Sequence, residues 1–166
     1  MRRVLALCAV LALPACDRGE EAGRGEDGAV VATTTEGALP AWLGHTDATD
    51  PARWLAGREA GRPLPADAPE VRALQEALAR TKDGFIEDPR MIANRTAQLE
   101  QMLAEVGKRE PARAILDGLG GIAAARGRHK SLYGEMCQHY FNARAQGNDH
   151  AAALGQLAGR NPQARP

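Results

Sequence analysis

DPRMIANRTAQLEQMLAEVG, residues 88–107, reads as one complete helix carrying its own start and stop signals. Asp88 offers an N-cap carboxylate, Pro89 suits the first turn where no N–H is needed, and Gly107 supplies the left-handed residue that ends a helix. Between them Ile92, Thr96, Leu99, Leu103 and Val106 recur at three- and four-residue steps, so they share one face. A helix that is apolar on one side has to bury that side against other helices.

The neighbouring segments repeat the pattern. Upstream, Asp67 is expected to cap a helix opening at Ala68, with Glu70 completing a capping box. Val71, Leu74 and Leu78 line its face, and Asp83-Gly84 ends it near Lys82. Downstream, a helix from about Pro111 lays Ala112, Ile115, Leu119 and Ile122 in one stripe. Its glycines, Gly118, Gly120 and Gly121, each cost about 1 kcal/mol against alanine in a helix interior, so they either permit close packing or mark a break. Ser131 is expected to cap a further helix in which Tyr133, Met136, Cys137, Tyr140 and Phe141 form an aromatic-rich stripe at the centre of the core. Gly147 ends that helix, and a short one from Asp149 carries Ala152, Ala153, Leu154 and Leu157. Runs of β-branched and aromatic residues are scarce. The fold class that follows is all-α: a small bundle of four to five short helices, arranged as helical hairpins, over residues 67–160, with a disordered tail at 161–166.

The stretch Leu99, Leu103, Gly107, Ala112, Leu116, Leu119 resembles one tetratricopeptide-repeat helix pair, and Phe141, Gly147, Ala153, Leu157 is loosely similar to it. The second copy has shifted spacings and lacks the usual aromatic and proline marks. A bundle of hairpins is therefore expected rather than a repeat array.

The other end of the chain concerns location. Met1-Arg2-Arg3 is a basic start, and the apolar run from Val4 to Ala15 is shorter than the roughly 20 residues of a spanning helix, which marks residues 1–15 as an export signal. Leu13-Pro14-Ala15-Cys16 resembles the lipobox of bacterial lipoproteins. That resemblance implies a diacylglycerol thioether on Cys16, cleavage before it, and several acyl chains on one residue. Each buried methylene is worth about 0.8 kcal/mol, so such a residue anchors stably where a single myristoyl chain would not. The partner implied is the lipid bilayer, with the protein facing the periplasm. Asp17 after the cysteine resembles an inner-membrane retention signal and favours that membrane over the outer one.

Residues 16–40 are Gly, Glu, Asp, Ala and Thr with little to bury, and are expected to form a flexible tether reaching roughly 30 Å. Residues 41–66 hold both tryptophans, in Ala41-Trp42-Leu43-Gly44 and Arg53-Trp54-Leu55-Ala56-Gly57, followed by a stiff Arg62-Pro63-Leu64-Pro65 joint. Asp50 and Pro51 make the second a capped helical turn. Two roles fit Trp42 and Trp54: docking back onto the helices to enlarge a poor core, or offering aromatic anchors to a partner protein.

Composition excludes several functions. The formal charge is zero, with 21 basic and 21 acidic residues, which argues against a nucleic-acid partner. Aromatics make up 4%, so the core must be lined by Leu and Ala. Ser131 is the only serine and has a capping task. Cys137 and His139 lie two apart on a helix and point about 200° away from each other, so they cannot act as nucleophile and base within it. His129, His139 and His150 with Cys137 lack paired metal-site spacing. No phosphate-cradling or dinucleotide-binding turn occurs, and Glu87-Asp88 is a helix-entry pair in a turn rather than an acid/base couple. Arg126, Arg128, His129 and Lys130 form one basic cluster. There, cations answer the helix macrodipole at about 0.3–1 kcal/mol each, or offer a patch to phospholipid headgroups or an acidic partner.

The expected protein is not an enzyme. It has no cofactor, no metal and no small-molecule substrate, and is a membrane-anchored accessory or adaptor subunit of an envelope or secretion assembly, bound to an unidentified envelope protein. The alternative is an envelope enzyme, or a cofactor-binding accessory, using Cys137 and the histidines.

Overall fold

In a computed structural model, residues 39–159 are described, and they hold six helices: α1 (Pro51–Ala60), α2 (Pro69–Lys82), α3 (Pro89–Glu105), α4 (Ala112–Ala125), α5 (Tyr133–Ala145) and α6 (His150–Gly159). The protein is all-α. An isolated parallel bridge joins Phe85 to Ser131 between two loops. No helix among the described residues is long and apolar enough to cross a membrane. Cys16, with the signal and tether expected over 1–15 and 16–40 up to Ala38, lies outside the described residues, as does the tail at 161–166.

Local chemistry sets most of the helix ends. The Asp50 carboxylate accepts from Arg53 N at 2.8 Å at the start of α1, Asp88 accepts from Met91 N at 2.8 Å at α3, and Asp149 accepts from Ala152 N at 2.8 Å at α6. Gly61, Gly107 and Gly147 take positive φ just past α1, α3 and α5, where a side chain would be strained. Two expected caps are corrected. Asp67 does not cap α2: Ala68 occupies the cap position with an extended backbone, as the residue before a proline must, and Pro69 opens the helix. Ser131 does not cap α5 either. Its N–H donates to Gly84 O at 3.0 Å and its carbonyl accepts from Ile86 N at 3.1 Å, so its backbone ties two loops. The cap comes instead from Glu87, whose carboxylate accepts from Tyr133 N at 2.9 Å and Gly134 N at 3.1 Å.

The small helical bundle expected forms, with the consecutive pairs α1 with α2 and α5 with α6 packed together beside longer-range pairs. α4 lies chiefly on α2, α2 also carries α1, and α3 packs on α5, which carries α6. The consecutive pair α3 and α4, the one similar to a tetratricopeptide pair, is a minor contact. Gly120 and Gly118 permit α4 its close approaches. A Cβ on Gly120 would stand 2.8 Å from Thr81 Oγ1, and one on Gly118 would stand 2.6 Å from Leu154 Cδ1. Thr81 uses that proximity, donating to Ala77 O at 2.7 Å with Leu116 O at 3.1 Å.

The core extends further towards the N-terminus than residue 67. Leu43, Trp54, Leu55 and Leu64 are buried in one apolar cluster with Val71, Leu99, Leu103, Ile115, Leu119 and Tyr140. The helical body therefore includes α1 and the segment before it. Tyr133 and Tyr140 are fully buried as the stripe predicted, Phe141 is half-buried, and Val106 is exposed because it sits at the C-cap of α3. Thr96 Oγ1 and Tyr133 Oη are 2.8 Å apart, which gives the buried phenol a partner, and Phe85 meets the Tyr133 ring edge-on at 4.9 Å.

Candidate functional site

A groove of about 690 Å³ runs between α3 and α5, with Leu99, Met102 and Cys137 in its floor and Ile86, Met91 and Leu132 on its rim. It adjoins a hollow of about 370 Å³ between Trp42 and α3, lined by Met91, Arg95 and Gln98. On the other side, Ile86 and Leu132 also border a cavity of about 510 Å³ that reaches Arg126 and Leu157. These three depressions share walls and make one continuous face.

The exposed large apolar side chains concentrate there. Among the described residues they are Ile86 (66% exposed), Leu132 (50%), Trp42 (48%) and Met91 (37%), with Val106 at the end of α3. The first four border the groove or its two neighbours. Isolated exposed leucines are ordinary, whereas clustered apolar side chains around a groove mark an interaction surface.

Trp42 is held in place by the backbone beside it. The Asn94 side-chain amide grips Leu43 from both sides, its Oδ1 accepting from Leu43 N at 3.0 Å and its Nδ2 donating to Leu43 O at 2.9 Å. Arg90 Nη1 adds a bond to Leu43 O at 3.1 Å. Arg58 Nη1 donates to Ala41 O at 3.0 Å and Trp54 Nε1 to Pro40 O at 2.8 Å. Burial of Leu43 then turns the adjacent Trp42 outward. The two tryptophans, for each of which docking and partner binding were open, are thus separated: Trp42 is presented on the α3 face, while Trp54 is fully buried in the core, with Arg58 stacked over its ring at 5.1 Å.

The chemistry-bearing residues do not converge. Burial pushes the Cys137 thiol up to about 12, against a hydrogen bond with Tyr133 that pulls the other way, so the neutral thiol persists at physiological pH. His139 is exposed and lies 3.5 Å from Glu135 on its own helix. His150 Nδ1 sits 2.7 Å from Tyr140 Oη, in a network where Arg144 Nη1 donates to Tyr140 Oη at 2.7 Å and to Glu110 Oε2 at 2.6 Å. No group of three His, Cys, Asp or Glu among the described residues is arranged to hold a metal ion. Asp88 lies 3.5 Å from Arg90 besides capping α3, and Glu87 caps α5, so both carboxylates of that pair have structural partners.

Maleimide should accordingly leave Cys137 unlabelled in the native protein and label it readily in urea. Cys137→Ala should cost about 1–2 kcal/mol through a small cavity. Fast labelling of the folded protein would show a thiol open to the groove.

One carboxyl pair escaped the sequence reading. Glu100 of α3, half-buried, is pushed up to about 8, first by burial and then by the charge of and hydrogen bond with Glu59 of α1. The first amide of α4, Ala112 N, donates to Glu59 Oε1 at 2.8 Å. Neither carboxyl lines the groove or the hollows beside it. Their spacing along the chain carries no motif, and only the fold joins them.

No curated protein and no solved structure matches the chain. A protein-family profile, MoxZ, matches residues 52–162, two-thirds of its length and all six helices but for the first residue of α1. On the extent of that match, the chain belongs to the MoxZ family.

Proposed function

We propose that this chain is a non-catalytic accessory protein of a methanol oxidation system, anchored on the periplasm-facing side of a membrane through lipid on Cys16 and docking a protein partner on its α3–α5 face. The observation that carries the docking role is the gathering of Trp42, Met91, Ile86 and Leu132 around one groove, with Trp42 fixed by the Asn94 grip on Leu43. The association of the MoxZ family with accessory proteins of methanol oxidation systems is consistent with the accessory role. Leu13-Pro14-Ala15-Cys16 supports the anchor, and Asp17 favours the inner membrane. The burial of Cys137 and the pairing of His139 with Glu135 and of His150 with Tyr140 support the non-catalytic reading.

The test is co-purification of the full-length protein from methanol-grown cells of its native host. Trp42→Ala and Leu132→Asp should each reduce the recovered partner about tenfold or more, as loss of an interface hot spot does, while the melting temperature stays near that of the parent. Cys16→Ser should abolish acylation and release the protein from the membrane fraction. Undiminished partner recovery with both surface variants would exclude the α3–α5 face, and an unacylated mature chain by intact mass would exclude the anchor.

A further inference from the structure

We infer that the cavity beneath Arg126 is a binding site for an organic anion, specifically a carboxylate carried on a short aliphatic body. Arg126 follows α4 directly and its guanidinium is short of acceptors. Nη2 donates to Leu157 O at 3.1 Å, Nη1 has only Ser131 Oγ at 3.5 Å and the Met136 thioether at 3.7 Å, and Nε is buried with no acceptor. No carboxylate pairs with Arg126 among the described residues. Arg144, whose Nε is likewise buried without an acceptor, has Glu110 at 2.6 Å, Arg80 has Asp117 at 2.8 Å and Arg90 has Asp88 at 3.5 Å, while half-buried Arg58 donates to Ala41 O and lies over the Trp54 ring. A partly buried cation without a counterion is unfavourable, and a bound anion supplies what is missing.

The walls define the class of anion. Lys130 adds a second cation and Ser131 a hydroxyl, while Leu132, Met136 and Leu157 are apolar. The single carboxylate in the lining, Glu135, lies 3.5 Å from His139. The space of about 510 Å³ is larger than a bare inorganic ion needs, and its apolar sides offer nothing to the outer oxygens of a phosphate. A carboxylate with four to six carbons would place its head at Arg126 Nη1 and Lys130 and its body against Leu132, Met136 and Leu157.

The inference needs no partner protein, so it stands or falls separately from the docking role. Its test is a titration of isotope-labelled full-length protein with sodium hexanoate, hexanol and sodium phosphate at constant ionic strength, followed by amide shifts. Hexanoate should give saturable shifts at Lys130, Ser131, Leu132 and Met136, and Arg126→Met should weaken binding about tenfold or more, the loss of a charged hydrogen bond. Glu135→Gln, an exposed change that leaves the fold intact, should tighten hexanoate about two- to threefold by removing a nearby like charge. Shifts from hexanol equal to those from hexanoate would reduce the cavity to an apolar crevice. Phosphate binding as tightly as hexanoate, or no saturable hexanoate shift in either the parent or Glu135→Gln, would overturn the assignment.

Discussion

Trp54→Ala should destabilise the protein by about 3–5 kcal/mol in urea or thermal unfolding, a large share of the 5–15 kcal/mol that holds a typical domain together. The indole is wholly buried on α1 and its N–H satisfies Pro40 O at 2.8 Å. Its loss opens a cavity and also frees one attachment of the segment that presents Trp42. The two tryptophans therefore make an internal control. Trp42→Ala, at a half-exposed side chain outside the core, should change stability by no more than about 0.5 kcal/mol. A loss below about 1 kcal/mol for Trp54→Ala would mean that α1 unfolds independently of the other helices.

The second large effect is a dependence on pH. Glu100 is raised from an ordinary carboxyl value to about 8 by burial and by Glu59, while the Arg58 guanidinium and the Ala112 amide oppose the shift. The folded protein thus keeps a proton that the unfolded chain releases from about pH 4.5 upward. Stability from this group is complete below pH 4.5, declines as pH rises, and is lost once pH passes about 8. Glutamine mimics the protonated acid at every pH. Glu100→Gln should match the parent near pH 4.5 and exceed it by about 2–4 kcal/mol at pH 9, with a flatter stability profile between. Parallel profiles for parent and variant across that range would show that Glu100 is solvated and ionised in the folded state.

Much of the fold was legible because the signals that set a helix end lie within a few residues of it. Asp88-Pro89 and Gly107 define α3, and Asp149 starts α6, just as the spacing implies. The caps misread at Asp67 and Ser131 fail for physical reasons: a proline two residues beyond Asp67 fixes the entry of α2, and a carboxylate from a distant loop takes the amides of α5. The burial of Trp54 is likewise a property of α1 on α2, which no local pattern records. At the candidate face, Trp42 stood out as one of only two tryptophans in the sequence. Ile86 and Leu132 did not, since each stands beside an aromatic that is buried, Phe85 or Tyr133, and acquires meaning only when the Phe85–Ser131 bridge brings the two loops together. Glu59 and Glu100 share the same obscurity.

The Asn94 grip on Leu43 makes position 94 informative about sequences other than this one. A side-chain amide carries a donor and an acceptor side by side, which is what one residue's backbone needs to be held on both its N–H and its carbonyl. Aspartate would keep the acceptor but turn its second oxygen against the Leu43 carbonyl; leucine of similar size would provide neither group. Glutamine would have to fold back an extra methylene. In a homologous sequence, then, the letter at this position forecasts whether the tryptophan arm is clasped or loose, and so whether its aromatic ring arrives at an encounter already aimed or must first be ordered at an entropic cost.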